Sequence, residues 1–280
     1  MPLAKDGDAK AQTNLGFIYF KKKNYKKAAY WFEKAAAQNF AIAQSNLAYQ
    51  YLSGKGVKRN LDKAAELYQK AAKEGNAVAQ SSLAYLYLKG EGVDKNTEKA
   101  IGWFKKAAKQ DSAFALFNLG VMYDRGVGVT QNFKKAFNSY LEAAKLGSMK
   151  AQYNLGVMYY QGRKGIKKNY AKAFDWFSKA AKQGMGRAQY NLGLMYSKGW
   201  GVKRNNKLAV YWFKKAAKKG IAEAQCDLGA MYLYGRGVRK SYKKALYWMR
   251  KAANNGSPRA KKVLRIINRE LRKHNIKHRV

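Results

Sequence analysis

The sequence predicts an all-α solenoid: about seven helix-turn-helix repeats followed by a C-terminal capping helix. Three observations carry this. Alanines recur at Ala11, Ala43, Ala79, Ala115, Ala151, Ala188, Ala224 and Ala260, with spacings of 32, 36, 36, 36, 37, 36 and 36. A fixed period of roughly 20–50 residues marks a repeat array. Within each copy, apolar residues fall at helical spacing in two successive stretches. Between those stretches stands a glycine-rich loop that ends in Asn or Ser, as in "GKGVKRN" (54–60) and "GEGVDKN" (90–96). The repeats thus start near residues 11, 43, 79, 115, 151, 188 and 224 of one array spanning 1–280, and residues 257–280 form a basic capping helix and tail.

The first helix of each repeat begins at its anchoring alanine. In "AQYNLGVMYYQG" Ala151, Leu155, Met158 and Tyr159 share one face, so the core stripe takes slots one, five, eight and nine. Slot six holds Gly16, Gly120, Gly156, Gly193 and Gly229, or Ala48 and Ala84. A mid-helix glycine costs about 1 kcal/mol relative to alanine, and its recurrence points to a close approach between helices.

The loops invite a different reading, because glycines and lysines such as those of "GRKGIKKN" (162–169) can cradle phosphates. Six related loops in one chain argue for turns instead. The fifth copy carries one inserted residue, and the copy before Tyr25 has lost the loop, which accounts for the spacing of 32. Asn24, Asn60, Asn96, Asn132, Asn169, Asn205 and Ser241 then cap the second helices.

The second helices carry Trp31, Trp103, Trp176, Trp212 and Trp248, each followed by Phe or Met, and end in paired alanines such as Ala71 and Ala72. At helical spacing these aromatics belong to a core. At the last helix, Ser257 and Pro258 open a segment whose Val263, Leu264, Ile267 and Leu271 would cover the final repeat. At the other end, "AKDGDAKAQ" (4–12) resembles "AKEGNAVAQ" (72–80). The chain therefore starts just after a helix that the pattern calls for, and either begins there or has lost an upstream segment. No signal peptide is visible.

Little here supports chemistry. The histidines, His274 and His278, lie in the tail, and Cys226 is the single cysteine, in slot three of a first helix. No Walker or dinucleotide motif follows a strand, so no enzyme, cofactor or metal is expected. Charge is the unusual feature: 57 Lys and Arg against 16 Asp and Glu leave +41. It is periodic. On the second helices Lys27, Lys63, Lys99, Lys135, Lys172 and Lys244 form one row. Lys34, Lys70, Lys106, Lys179, Lys215 and Lys251, seven residues later, form another on the same face. Such rows suit an acidic partner: nucleic acid, acidic lipid or an acidic protein. They also suit a solvated face whose lysine stems cover alanine-rich helix.

The motifs A-x-x-x-L-G-x-x-Y, G-x-G-V and A-x-x-W-x-x-K-A-A-x-x-G of "AQYNLGVMYYQG…KNYAKAFDWFSKAAKQG" resemble the Sel-1-like repeat, a relative of the tetratricopeptide repeat. The resemblance covers nearly the whole chain and departs at Ser139, where the tryptophan is missing. It implies a right-handed α/α superhelical solenoid acting as a non-enzymatic scaffold or adaptor, and members are often exported. It also places the lysine rows on a convex surface and a ligand groove on the concave one. That groove uses the first-helix slots opposite the core: Phe117, Tyr153 and Tyr190 at slot three, Asn118, Asn154 and Asn191 at slot four, and Arg125 and Lys198 at slot eleven. Rigid aromatics, amides and cations suit a peptide of acidic character. The same tyrosines could instead pack between helices, and the asparagines bond backbone.

Overall fold

The structure is a computed structural model that describes residues 4 and 6–273, with side chains to Asn268. Leu271 as a side chain, His274 and His278 lie outside the described residues. Among the described residues fifteen helices follow one another: α1 (Ala9–Lys21), α2 (Tyr25–Ala37), α3 (Ala41–Ser53), α4 (Leu61–Lys73), α5 (Ala77–Lys89), α6 (Thr97–Ala108), α7 (Ala113–Arg125) and α8 (Phe133–Lys145), then α9 (Met149–Gln161), α10 (Tyr170–Lys182), α11 (Gly186–Lys198), α12 (Asn206–Lys218), α13 (Ala222–Tyr234), α14 (Tyr242–Asn254) and α15 (Pro258–Lys273). Among the described residues the only β feature is an isolated Arg163–Ile166 bridge, in the loop that carries the extra residue. The result is an all-α repeat solenoid. Odd-numbered helices α1–α13 are first helices, even-numbered ones second helices. The chain divides between Ser148 and Met149 into two compact units, α1–α8 and α9–α15.

Each repeat builds the same core. From the second repeat on, slots one, five and eight are buried, as in Ala151, Leu155 and Met158, whereas in the first repeat Ala11 is half-buried and Ile18 exposed. The second helix of every repeat answers with one large buried side chain: Phe32, Tyr68, Phe104 or Tyr140 in the first unit, Phe177, Phe213 or Met249 in the second. Burying one such side chain contributes about 1.5–3 kcal/mol. The tryptophans are not at the centre. Trp31, Trp103, Trp176, Trp212 and Trp248 are half-buried at the rim, and the residue after each fills the middle. Slot nine is likewise only half-buried, since its tyrosines reach the surface beside the second helix. At slot eight of the second repeat Gln50, fully buried, donates to the Tyr25 and Lys55 carbonyls at 2.9 Å each.

The slot-six glycines do mark a close approach. A Cβ on Gly156 would lie 2.6 Å from the Phe177 ring, and Gly16, Gly120 and Gly193 face Phe32, Tyr140 and Phe213 at 2.5–2.6 Å. All seven second-helix caps form, the side chain accepting from the backbone N–H three residues on, for example Asn96 from Lys99 at 2.8 Å. Ser257 caps α15 through the Ala260 N–H at 3.2 Å. The loops are turns. Gly92 sits at φ +67°, where a Cβ would fall 2.2 Å from the carbonyl oxygen of Leu61, the first residue of the preceding repeat's second helix. Gly56, Gly201 and Gly237 meet Tyr25, Tyr170 and Asn206 in the same way. These helix N-termini are taken by a cap and by the next loop.

A set of buried amides escaped the sequence reading. The slot-two glutamines Gln12, Gln80, Gln189 and Gln225 are buried, and each donates to a carbonyl of the segment before it: Ala4, Ala72, Ala181 and Ala217, at 3.0–3.2 Å. The Ala4 bond reproduces the Ala72 bond, in stretches of like sequence, 4–12 and 72–80. The oxygens of three of these, and that of Gln152, buried at the same slot, also accept from an amide just past the same repeat's second helix: Gln38 to Gln12, Gln110 to Gln80, Gln183 to Gln152 and Asn255 to Gln225, at 2.8–3.0 Å. Where that position is Glu74 or Lys219, the Oε1 of Gln44 or Gln189 has no hydrogen-bond partner. In the fourth repeat both positions are leucine, Leu116 and Leu146.

Gln80→Leu alone is therefore expected to cost about 1–3 kcal/mol, the range for a buried polar partner left unpaired. With Gln110→Leu added, the loss should fall short of the sum of the two single losses by at least about 0.5 kcal/mol in a double-mutant cycle read by denaturant unfolding. Strict additivity would show that the two amides do not act as a pair.

Candidate binding surface

Opposite the core, the first helices present a face whose character differs between the units. In the first unit it is apolar. The first repeat has Lys10 before its anchor, but in the next three the residue before the anchor is Ile42, Val78 or Phe114, at 45%, 64% and 45% exposure. Phe17 and Tyr49, at slot seven, are exposed beside them. Phe114 contacts the Tyr85 ring at 6.0 Å. In the second unit the corresponding positions before the anchors are Lys150, Arg187, Glu223 and Arg259. Sequence reasoning passed over this position, although its run of apolar residues one place outside the core stripe was visible.

The expected groove residues fall on this face with distinct surroundings. Phe117, Tyr153 and Tyr190 are half-buried, each against the second-helix aromatic of its own repeat: Tyr140, Phe177 and Phe213, with ring centroids 5.7–5.9 Å apart. Asn118 donates to the Phe114 carbonyl of its own helix at 2.7 Å. Asn154 and Asn191 are half-buried, while Arg125 and Lys198 are exposed at the ends of α7 and α11. Phe117, Asn118 and Arg125 belong to the first unit, the others to the second.

Two of these residues, Tyr190 and Lys198, meet in a cavity of about 500 Å³ in the second unit. Leu194, Met231 and Phe213 supply its apolar lining, beside the polar Ser197 and Asn206. Its rim carries Lys198, Arg204, Arg236 and Arg259 against a single carboxylate, Asp227. That carboxylate is engaged: it accepts from the Tyr190 hydroxyl at 3.1 Å and from Arg259 at 2.6 Å. Burial, and then the adjacent Asp227 charge, push the Tyr190 hydroxyl well above its ordinary pKa, so it stays a donor. Asp227 stands at slot four, where other repeats have asparagine or Ser82. That exchange was the legible signal; Arg204 and Arg236 come from loops and Arg259 from α15, which no slot count brings together.

The lysine rows have a local partner. In the first row Lys27, Lys63, Lys99, Lys135, Lys172 and Lys244 each lie 5.4–5.7 Å above the slot-nine tyrosine of the same repeat. In the second, Lys106 and Lys179 cover Trp103 and Trp176 at 4.3 and 4.1 Å, and Lys34, Lys215 and Lys251 cover Tyr30, Tyr211 and Tyr247 at 4.6–4.9 Å. Lys70 pairs with Glu66 at 2.7 Å. Exposed cation–π contacts contribute about 0.5–1 kcal/mol each, so the lysine period follows the period of the rings beneath.

Cys226 is buried, and burial raises its thiol pKa, which disfavours the reactive thiolate. Trp200 stacks on Tyr170 at 5.6 Å and contacts Tyr160, closing the loop onto the preceding repeat. Among the described residues no cluster of His, Cys, Asp and Glu could hold a metal ion, and no helix is long and apolar enough to cross a membrane.

Helical hairpins of constant length, stacked through alanines and one aromatic each, define a helical-repeat solenoid. The Sel1 repeat model matches residues 9–40, 41–76, 77–112, 113–148, 150–185, 186–221 and 222–257, and the chain belongs to that family. It is similar to a solved Sel1 repeat protein from Oxalobacter formigenes, with 34% identity and a TM-score of 0.74 over 86% of this chain and 96% of that one. It is also similar to c5321, a protective antigen of uropathogenic Escherichia coli with the same type of fold, at 30% identity and a TM-score of 0.61, covering 96% of this chain and 66% of that one. A putative Sel1 repeat protein from Klebsiella pneumoniae shares 27% identity at a TM-score of 0.50, over 69% of this chain and 95% of that one. No curated protein matches the chain. Sel1 repeat proteins generally mediate protein–protein interaction.

Proposed function

We propose that the chain is a non-enzymatic scaffold that binds a protein segment on the face of its first helices turned away from the core, the concave groove expected from the sequence. The observation that carries this is the run of exposed apolar side chains at Ile42, Val78 and Phe114, three successive repeats presenting the same position to solvent. Exposed apolar residues aligned on one face mark contact surfaces more than solitary ones do. The basic composition gives the partner its sign: an acidic segment would be drawn to the surface before the apolar contacts form. A second reading, binding of nucleic acid or an acidic membrane through the lysine rows, draws on ammonium groups held in register over tyrosine and tryptophan rings.

Selection of a random peptide library on the full chain tests the first reading. Ligands should lose at least about tenfold in affinity when Ile42, Val78 and Phe114 are changed together to Asp, and should keep most of it between about 50 and 200 mM salt. A ligand that ignores those changes and loses affinity steeply with salt would place the function on the lysine rows, where each phosphate contact on duplex DNA contributes a log–log slope of about −0.9.

A further inference from the structure

We infer that the cavity between α11, α13 and α15 is a subsite for an apolar side chain flanked by carboxylates, the anchor of an acidic peptide. The inference rests on the scaffold reading and adds a chemistry to it. Three features point to this ligand. The hollow is concave and has an apolar part, Leu194, Met231 and Phe213, so it takes a side chain out of water instead of lying flat under a backbone. The rim holds four cations, Lys198, Arg204, Arg236 and Arg259. Asp227, the acid that lines the site, is engaged by Tyr190 and Arg259, and the cations outnumber it together with the nearby Glu223 of α13, so an incoming carboxylate meets net positive charge.

The shape decides between peptide and polyphosphate chain. A duplex nucleic acid, its bases stacked inside, would use the cations but leave the apolar hollow unfilled, and its evenly spaced charges fit the open lysine rows better. A peptide with one large apolar residue between acidic ones uses both parts. Arginine predominates at the rim, and its planar fork pairs carboxylates with two parallel hydrogen bonds where lysine offers a point charge. Asp227 acts as a positioning residue: one oxygen takes Arg259 and the other takes Tyr190, so both side chains are held at the edge of the hollow.

The test uses the full chain and fluorescence anisotropy with three labelled probes: a peptide with one phenylalanine between glutamates, hexaglutamate, and an oligothymidine of matching charge. The phenylalanine peptide should bind at least about fivefold more tightly than hexaglutamate. Changing Arg204 and Arg236 together to Gln should weaken it about tenfold or more. Changing Lys63 and Lys99 together to Gln, which removes the same charge from the first unit, should move it less than about twofold. Equal losses in the two charge-matched variants, no gain from the phenylalanine, or an oligothymidine that binds better and depends on the arginines would each overturn the assignment. A probe that responds to the Ile42, Val78 and Phe114 changes but not to the arginines would also overturn it, while leaving the broader face as the binding surface. Circular dichroism of the arginine variant confirms that its helices persist, since both changed residues are exposed loop positions.

Discussion

Gly156→Val is expected to cost about 3 kcal/mol or more, whereas Gly156→Ala should stay within about 1 kcal/mol of the parent. The two outcomes follow from one contact. A Cβ at this position would stand 2.6 Å from the Phe177 ring, which is itself buried against α9. Alanine replaces the least favourable common helix residue after proline with the best, a gain of about 1 kcal/mol that offsets a small shift of the ring. The second and third repeats show that such a shift is possible, for Ala48 and Ala84 occupy the same slot and pack in the clusters of Tyr68 and Phe104. Valine adds two further methyl groups where the core has no room, and the β-branch fixes their direction. Denaturant midpoints of the two variants decide the matter. Equal midpoints would show that the glycine is not there for the ring.

Gly92→Ala should cost more than a glycine substitution at an equally left-handed but open turn. At Gly75, φ is +86° and nothing lies within 4 Å of a built Cβ, so alanine there meets only the backbone preference, about 1–2 kcal/mol. At Gly92 the same preference is joined by a collision with the Leu61 carbonyl, a backbone atom of a capped helix that cannot swing aside. We expect a loss of about 3 kcal/mol or more at Gly92, and the excess over Gly75 measures the seating of the loop on the preceding repeat. Hydrogen exchange at the start of α4 would locate the damage there. If the two substitutions cost the same, the loop is held by its own conformation alone.

The period, the two helices per repeat and the second-helix caps were legible because the chain states them several times over. Repetition alone turned the glycines of "GEGVDKN" from a phosphate cradle into a turn. The amides were harder to read. A glutamine at slot two looks like a solvent residue, and its partner lies some thirty residues away beyond the second helix, as Gln110 does from Gln80. The rim position of the tryptophans was missed because period alone does not separate the centre of a helix face from its edge. Slot arithmetic found Tyr190 and Lys198 but not the cavity, whose wall needs two loops and the last helix as well as α11 and α13. The exchange of asparagine for Asp227 was its one visible trace, and a single departure from a repeating slot carries little until its neighbours are known.

The buried amides also bear on how such a chain can lengthen or shorten. Gln80 and Gln110 are partners within one 36-residue segment, 77–112. Toward the previous segment the same two side chains donate only to backbone, the carbonyls of Ala72 and Gly75. Gly92 likewise rests on a backbone carbonyl across the junction. A carbonyl is present whatever residue bears it. Matched side chains thus travel together inside a module, and these backbone contacts between modules ask for no match in residue type. Duplicating or deleting a copy such as 77–112 in the gene would carry its amide pair along intact, and its backbone-directed hydrogen bonds would already be compatible with the new neighbour.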